Sequence, residues 1–398
     1  MDRRRHITLG FERIEALLEV MGHPEREIPH LVQVVGTNGK GTTAMALACA
    51  LEASGHPSGA YLSPHVLSYT ERVVLGGEYS SEERFAAAMG ETIDLADRHG
   101  IGVSQFEILT AGALKMFADA DVSWAVLEAG LGARHDATSV VGPEAVVLTN
   151  VALDHTEYLG DTIEEIAAEK LASLRPEATL FLGSPDERVV GLARDTCRRI
   201  GATLLGVADP PHVAVPAGLA PYAARNVEVG VAVAESLTGE SLSGEAREKV
   251  ASDVVGTLPG RFEVRELDGV PVVLDGGHNV AGVTAALASV RSAYPGRPLA
   301  VVFGVLRDKD AAGMLSGFVC EAQTIVLTRP EGERASDPGR VGSEHNPLDR
   351  EERRALVVPD PVEALGVAVG AVEETGGVVL VTGSLSTIAP VSRWLREE

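Results

Sequence analysis

Residues Gly36-Thr37-Asn38-Gly39-Lys40-Gly41-Thr42 combine the parts needed to hold a polyphosphate. Ahead of them, Leu31 to Val35 is a short apolar run that reads as a buried parallel strand. Behind them, Ala44 to Ala53 reads as a helix that meets a stop signal at Gly55. A glycine turn between strand and helix lets backbone N–H groups approach a phosphate closely. The helix N-terminus adds its dipole, Lys40 a point charge, and Thr42 a hydroxyl suited to Mg²⁺. The strict P-loop pattern places four residues before Gly-Lys and a Ser or Thr directly after it. Here only two residues separate Gly36 from Gly39, and Gly41 stands between Lys40 and Thr42, so the loop is a variant.

Other apolar runs also end in polar clusters. Gly59 to Leu62 leads into Ser63-Pro64-His65, and Trp124 to Leu127 leads into Glu128 and the segment up to Asp136. Ala145 to Leu148 leads into Thr149-Asn150 and then Asp154-His155. Helix-like segments at about 84–98, 106–118 and 162–174 intervene. This βαβα order predicts a mostly parallel sheet, in which ligands bind beyond the carboxyl ends of the strands. The clusters should therefore gather beside the phosphate loop.

Glu128 and His155 are candidate Mg²⁺ ligands alongside Thr42. A carboxylate ending a buried strand needs a cation or donors nearby. Histidine is a less usual magnesium ligand, so His155 reads equally as a structural hydrogen-bonder. In the next helix, Ile163, Ile166, Ala167, Lys170 and Leu174 follow helical periodicity, which puts Lys170 on the apolar stripe. A lysine held there has a lowered pKa and an amine able to add CO₂ as a carbamate. The alternative is a snorkelling side chain with its ammonium in water.

Composition sets the outer limits. With 398 residues, 45% of them hydrophobic and 4% aromatic, the chain fits a globular α/β protein of two or three domains. A net charge of −23 argues against a nucleic-acid partner. Anionic ligands must then be drawn in by local cationic groups, and lysine occurs only at positions 40, 115, 170, 249 and 309. Cys49, Cys197 and Cys320 are widely spaced, with no metal-type pairing. The basic start from Met1 to Arg5 is followed by Glu12, Arg13 and Glu15 rather than a signal peptide's apolar core. No apolar run reaches membrane-spanning length, and a cytoplasmic protein is expected.

From about 179 to 258 the pattern weakens: Thr179 to Leu182 reads as a strand, and prolines at 210, 211, 216 and 221 break up the chain beyond it. Tyr222 opens a helical run that extends to about Glu235. Leu258-Pro259-Gly260-Arg261-Phe262-Glu263 reads as a rigid turn, with the domain boundary after it at 265/266 and a hinge between Glu263 and Leu267. Arg261 is either a linker charge or a nucleotide contact. Beyond it, Val270 to Leu274 ends in Asp275-Gly276-Gly277-His278-Asn279, and Val378 to Val381 ends in Thr382-Gly383-Ser384. This predicts a smaller Rossmann-like domain without a GxGxxG fingerprint. Arg329 to Arg354 reads as a surface loop.

Together the clusters resemble the folylpolyglutamate synthase/dihydrofolate synthase family, a branch of the Mur-type ATP-dependent amide ligases. The matching motifs are GTNGKGT (36–42), SPH (63–65), ER (71–72), QFE (105–107) and LEAGLGARHDAT (127–138). They continue with LDH (153–155), EK (169–170), PGRFE (259–263), DGGHN (275–279), KD (309–310) and TGS (382–384), in the family's order. The resemblance implies a P-loop-type ATPase and folate-binding domain over 1–265 and a glutamate-ligase domain over 266–398. It implies that Gly36, Thr37, Asn38, Gly39, Lys40, Gly41 and Thr42 cradle ATP, with Arg261, Asp275 and Asn279 as further nucleotide contacts. Thr42 and Glu128 would hold one Mg²⁺, and His155 with a carbamylated Lys170 a second. His278 and Ser384 would serve the incoming L-glutamate. Ser63, Pro64, His65, Arg72, Phe106 and Glu107 would border a folate or dihydropteroate. A monomer is expected. Where the family usually has GGRLDATN and DGAHN, this chain has Ala133, His135, Ser139 and Gly277. The alternative reading is therefore a Mur-type ligase for a non-folate carboxylic acid.

Overall fold

The computed structural model describes residues 10–207, 220–344 and 355–397. They form two compact units, one from 10–207 with 224–257, the other from 220–223 with 258–397.

The first unit opens with α1 (Glu12–Val20), β1 (His30–Val35) and α2 (Lys40–Ala53). Next come β2 (Ser58–Tyr61), β3 (Val73–Leu75), β4 (Glu78–Tyr79), α3 (Glu82–Arg98) and α4 (Gln105–Ala118). β5 (Trp124–Glu128), β6 (Ala145–Leu148), the short α5 (Thr156–Leu159) and α6 (Ile163–Lys170) follow. The last elements are β7 (Thr179–Leu182), α7 (Glu187–Ile200), β8 (Thr203–Gly206), α8 (Pro221–Thr238) and α9 (Gly244–Thr257). The first residues of α8 group with the second unit. The sheet order is β4-β3-β2-β5-β1-β6-β7-β8, with only the β2–β3 and β3–β4 pairs antiparallel.

β5 is buried along its whole length and β1 over its last four residues, as strands covered on both faces must be. α2 is buried from Gly41 to Leu51, which explains why it has no polar face. α4 packs so closely on the sheet that a Cβ at Gly59 would lie 2.5 Å from the Phe117 ring.

In the second unit, β9 (Arg261–Leu267), β10 (Val270–Asp275), α10 (Val280–Ala293), β11 (Leu299–Phe303) and α11 (Ala311–Phe318) lead on. They are followed by β12 (Thr324–Leu327), α12 (Pro338–Glu344), β13 (Leu356–Val357), α13 (Pro361–Gly370), β14 (Val378–Thr382) and α14 (Leu385–Trp394). Its sheet order is β13-β12-β11-β14-β10-β9, parallel except for β9.

The parallel α/β architecture of both units agrees with the sequence reading. Three local expectations are corrected. Residues 263–267 lie in β9, paired antiparallel with β10, so they are sheet rather than hinge, and the first unit ends at Thr257. The expected loop at 329–354 contains α12, which Asp337 caps by accepting from the Arg340 N–H at 2.8 Å. The region of weak pattern holds two regular helices, α7 and α9. Residues 1–5, the prolines at 210, 211 and 216, and 345–354 lie outside the described residues.

α8 and α9 both lie against α2. A Cβ at Gly230 would meet Ala46 Cβ at 2.7 Å and the Thr43 carbonyl at 2.8 Å. Gly230→Ala should therefore cost about 1–3 kcal/mol through overpacking, despite alanine's better helix propensity. Urea unfolding measures this, and an unchanged or raised midpoint would show that α8 does not press on α2.

Candidate active site

The turn after β1 is built for close approach. Gly36 has φ +148° and Gly39 φ +81°. A Cβ at Gly36 would lie 1.9 Å from Thr149 Oγ1, and one at Gly39 2.5 Å from the Asn226 carboxamide. Neither position admits a side chain. The neighbouring strand end supports the turn. Asn150 Oδ1 accepts from the Asn38 N–H at 3.0 Å, and its Nδ2 donates to the Asn38 carbonyl at 2.8 Å. Thr149 Oγ1 donates to the same carbonyl at 2.8 Å. Thr37 exchanges hydrogen bonds with the Ala152 backbone, and Lys40 Nζ reaches back to the Thr37 carbonyl at 3.3 Å.

Glu128, at the end of β5, is buried beside α2: a Cβ at Gly41 would lie 3.1 Å from its Oε2. That oxygen accepts from the Ser63 N–H at 2.7 Å, joining the loop after β2 to the loop after β1. Thr42, the residue after Gly41, is buried at the same helix start. Lys170 is 3% exposed, and its Nζ donates to the Gly36 carbonyl at 2.8 Å. Snorkelling is thereby excluded. Burial, and then the charge of Lys40, bring the Lys170 pKa down to about 7. His155 sits in the left-handed region at φ 50°. Its N–H donates to Asp154 Oδ1 at 2.9 Å, and its Nε2 lies 3.9 Å from Asp154 Oδ2.

The remaining residues of this unit expected at the substrate divide into two groups. Ser63, Pro64 and His65 lie on the loop after β2, and Phe106 approaches Tyr61 with ring centroids 5.9 Å apart. Arg72 instead turns inward, donating from Nε to His65 Nδ1 at 2.9 Å and from a terminal nitrogen to Ser63 Oγ at 3.3 Å. Glu107 is likewise committed to structure. It accepts from the Ser104 N–H at 2.6 Å in a capping box and pairs with Arg13 at 3.0 Å. Asp136 accepts from the Gly130 and Leu131 N–H groups, both at 2.9 Å, and so folds the loop after β5. Burial raises its pKa against these hydrogen bonds.

In the second unit, the ends of β10 and β14 bring the other predicted residues together. Asp275 is buried, pairs in register with Arg261 across the β9–β10 ladder and accepts from the Tyr222 hydroxyl. Burial raises its pKa, opposed by Tyr222 and Arg261. His278 Nδ1 faces the Gly276 carbonyl at 3.0 Å. A carbonyl only accepts, so Nδ1 carries the hydrogen and the neutral ring keeps its lone pair on Nε2. Asn279 caps α10 through the Gly282 N–H, and Ser384 caps α14 through the Ser386 N–H. The Gly277 carbonyl accepts from the Gly383 N–H at 3.0 Å, tying the two strand ends together.

Sequence reasoning assigns no role to Thr149, Asn226 or Tyr222. The signal for Thr149 was its place after an apolar strand. Asn226 and Tyr222 lay in a run read only as helix.

Residues 34–188 match the Mur ligase middle domain and residues 260–385 the Mur ligase glutamate ligase domain. The dihydrofolate synthase/folylpolyglutamate synthase of Escherichia coli is 33% identical over 349 residues, covering 83% of this chain and 80% of that protein. A probable bifunctional folylpolyglutamate synthase/dihydropteroate synthase of Halobacterium salinarum is 34% identical over 427 residues, covering 100% of this chain. This chain spans only 51% of that protein's length, about half. A solved bifunctional folylpolyglutamate synthase/dihydrofolate synthase with Mn, AMPPNP and L-glutamate bound superposes with a TM-score of 0.84 at 30% identity, covering 99% of this chain and 96% of that one. With both Mur ligase domains in order, the strand-end clusters in place and this extent of identity, the chain belongs to the folylpolyglutamate synthase/dihydrofolate synthase family.

Proposed function

We propose that the chain is an ATP-dependent ligase joining L-glutamate to the carboxylate of a folate or dihydropteroate, with release of ADP and phosphate. The observation that carries this reading is the braced glycine turn with Lys40, Thr42 and the buried Glu128 at one helix start. Such a turn serves phosphate binding, and a buried carboxylate beside it serves a cation.

A carboxylate is a poor electrophile and needs activation. One of its oxygens attacks the γ-phosphorus, the bond from that phosphorus to the bridging oxygen breaks, and ADP leaves. Lys40 and the N–H groups of the first turn of α2 stabilise the charge on the transferring group. The glutamate amine then attacks the acyl carbon, and phosphate departs with its bridging oxygen. The amine's proton passes to a base, a role the Nε2 lone pair of His278 suits. Arg261, Asp275 and Asn279 are assigned to the nucleotide, and Ser384 to the glutamate. Ser63, Pro64, His65 and Phe106 are assigned to the acid substrate.

Thr42 and the buried Glu128 carboxylate beside Gly41 are a hydroxyl and a carboxylate of the kind a divalent cation takes, and they are assigned to one. His155 and a carbamate on Lys170 are assigned to a second. When bound, the cations neutralise phosphate charge. The lowered Lys170 pKa leaves neutral amine near pH 7, the form that adds CO₂ and gives up a proton. We assign a cytoplasmic monomer; no described helix is long and apolar enough to cross a membrane.

Purified protein given ATP, Mg²⁺ and L-glutamate should release phosphate only when dihydropteroate or a reduced folate is added. Release that needs a different acid would replace the folate reading with the broader Mur-type one. Tight ATP binding with no turnover for any acid would remove the ligase reading altogether.

Lys170→Ala should lower turnover by about 100-fold or more and recover part of it with short-chain carboxylates, which stand in for the carbamate. Intact protein should carry the extra mass of one CO₂. Wild-type turnover in the alanine variant would exclude Lys170 from the mechanism.

A further inference from the structure

The contact between Arg72 and His65 defines a chemical state. An arginine N–H only donates, and Arg72 Nε points at His65 Nδ1 from 2.9 Å. Nδ1 therefore carries a lone pair, and the ring's hydrogen sits on Nε2. Burial, reinforced by the Arg72 charge, holds the His65 pKa at about 4, so the ring is neutral at neutral pH.

The surrounding groups fix this arrangement rather than merely permit it. Arg72 is buried and spends a second N–H on Ser63 Oγ. The buried Glu71 carboxylate accepts from the Val66, Leu67 and Ser68 N–H groups at 2.7, 2.8 and 2.8 Å, pinning the backbone after His65. Tyr69 lies against the imidazole with ring centroids 4.1 Å apart, and its hydroxyl accepts from Gln105 Nε2 at 2.8 Å. Among the described residues none accepts from His65 Nε2. This much order around one imidazole leaves a single N–H as its chemical output.

We propose that His65 presents a neutral Nε2–H donor to an uncharged carbonyl oxygen of the acid substrate, and that Arg72 is the positioning residue that locks this tautomer. The substrate class rests on the ligase reading above. The donor would discriminate between acids by the presence of that acceptor, because a site built to donate rejects a partner that leaves it unpaired.

The test combines nitrogen NMR with kinetics. In substrate-free protein carrying isotope-labelled histidine, the His65 signal, identified by its loss in His65→Gln, should show a bare Nδ1 and a protonated Nε2. Arg72→Leu should give a mixture of tautomers and raise KM for the acid about tenfold while leaving KM for ATP unchanged. Arg72→Lys keeps a donor and should restore both. A hydrogen on Nδ1 in the wild type, or an Arg72→Leu variant that keeps Nε2–H and the wild-type KM, overturns the proposal. If Arg72→Leu does not fold, His65→Leu against His65→Gln carries the test. The leucine variant should show the KM rise and the glutamine variant, still a donor, should not; equal KM values overturn the proposal. The spectrum needs no substrate, so its failure is distinct from failure of the ligase reading, which the acid-dependence assay decides.

Discussion

A turn that grips a polyanion leaves the N–H groups at its helix start for the ligand, so it cannot satisfy itself and has to be held by its surroundings. At residues 36–39 the holding groups come from the neighbouring strand end and from α6. Asn150 binds both sides of the Asn38 residue, Thr149 doubles the hold on its carbonyl, and Lys170 takes the Gly36 carbonyl. Each such bond is worth about 0.5–1.5 kcal/mol net, enough together to keep one turn geometry populated before any ligand arrives. The glycines are the other half of the same constraint, because the bracing groups occupy the space where their Cβ atoms would be.

The charge pattern follows from that geometry. Lys40 and Lys170 both converge on this turn, and after burial the charge of Lys40 helps lower the Lys170 pKa. Among the chain's many acidic groups, Asp154, Glu169 and Asp136 oppose that lowering without cancelling it. A bound polyanion would offset the charge of Lys40.

Much of this was visible in the residues. The strand–glycine–helix pattern at 31–53 is local, and so is the habit of ending buried strands in polar residues. Both therefore survive translation into structure. The features that escaped notice were set by tertiary proximity. Asn226 reaches Gly39 across a long stretch of sequence, and Tyr222 meets Asp275. Arg72 and Glu107 have the residue types of substrate contacts, yet both also hold the fold together, Arg72 through His65 and Ser63 and Glu107 through Arg13 and Ser104. The segment at 263–267 looked like a joint because a proline and a glycine precede it. In fact those residues turn the chain into an antiparallel edge strand. α9 was missed because its pattern is only faintly amphipathic, even though Ser243 caps it by accepting from the Ala246 N–H.

The first unit is discontinuous: α8 and α9 rejoin it only after residues 220–223 have been assigned to the other. During translation, β1 to β8 are all made before the two helices that cover α2. Until then α2, apolar on every side, has one flank bare to water. A chain cut short before α8 and α9 would keep that flank exposed and be prone to aggregate.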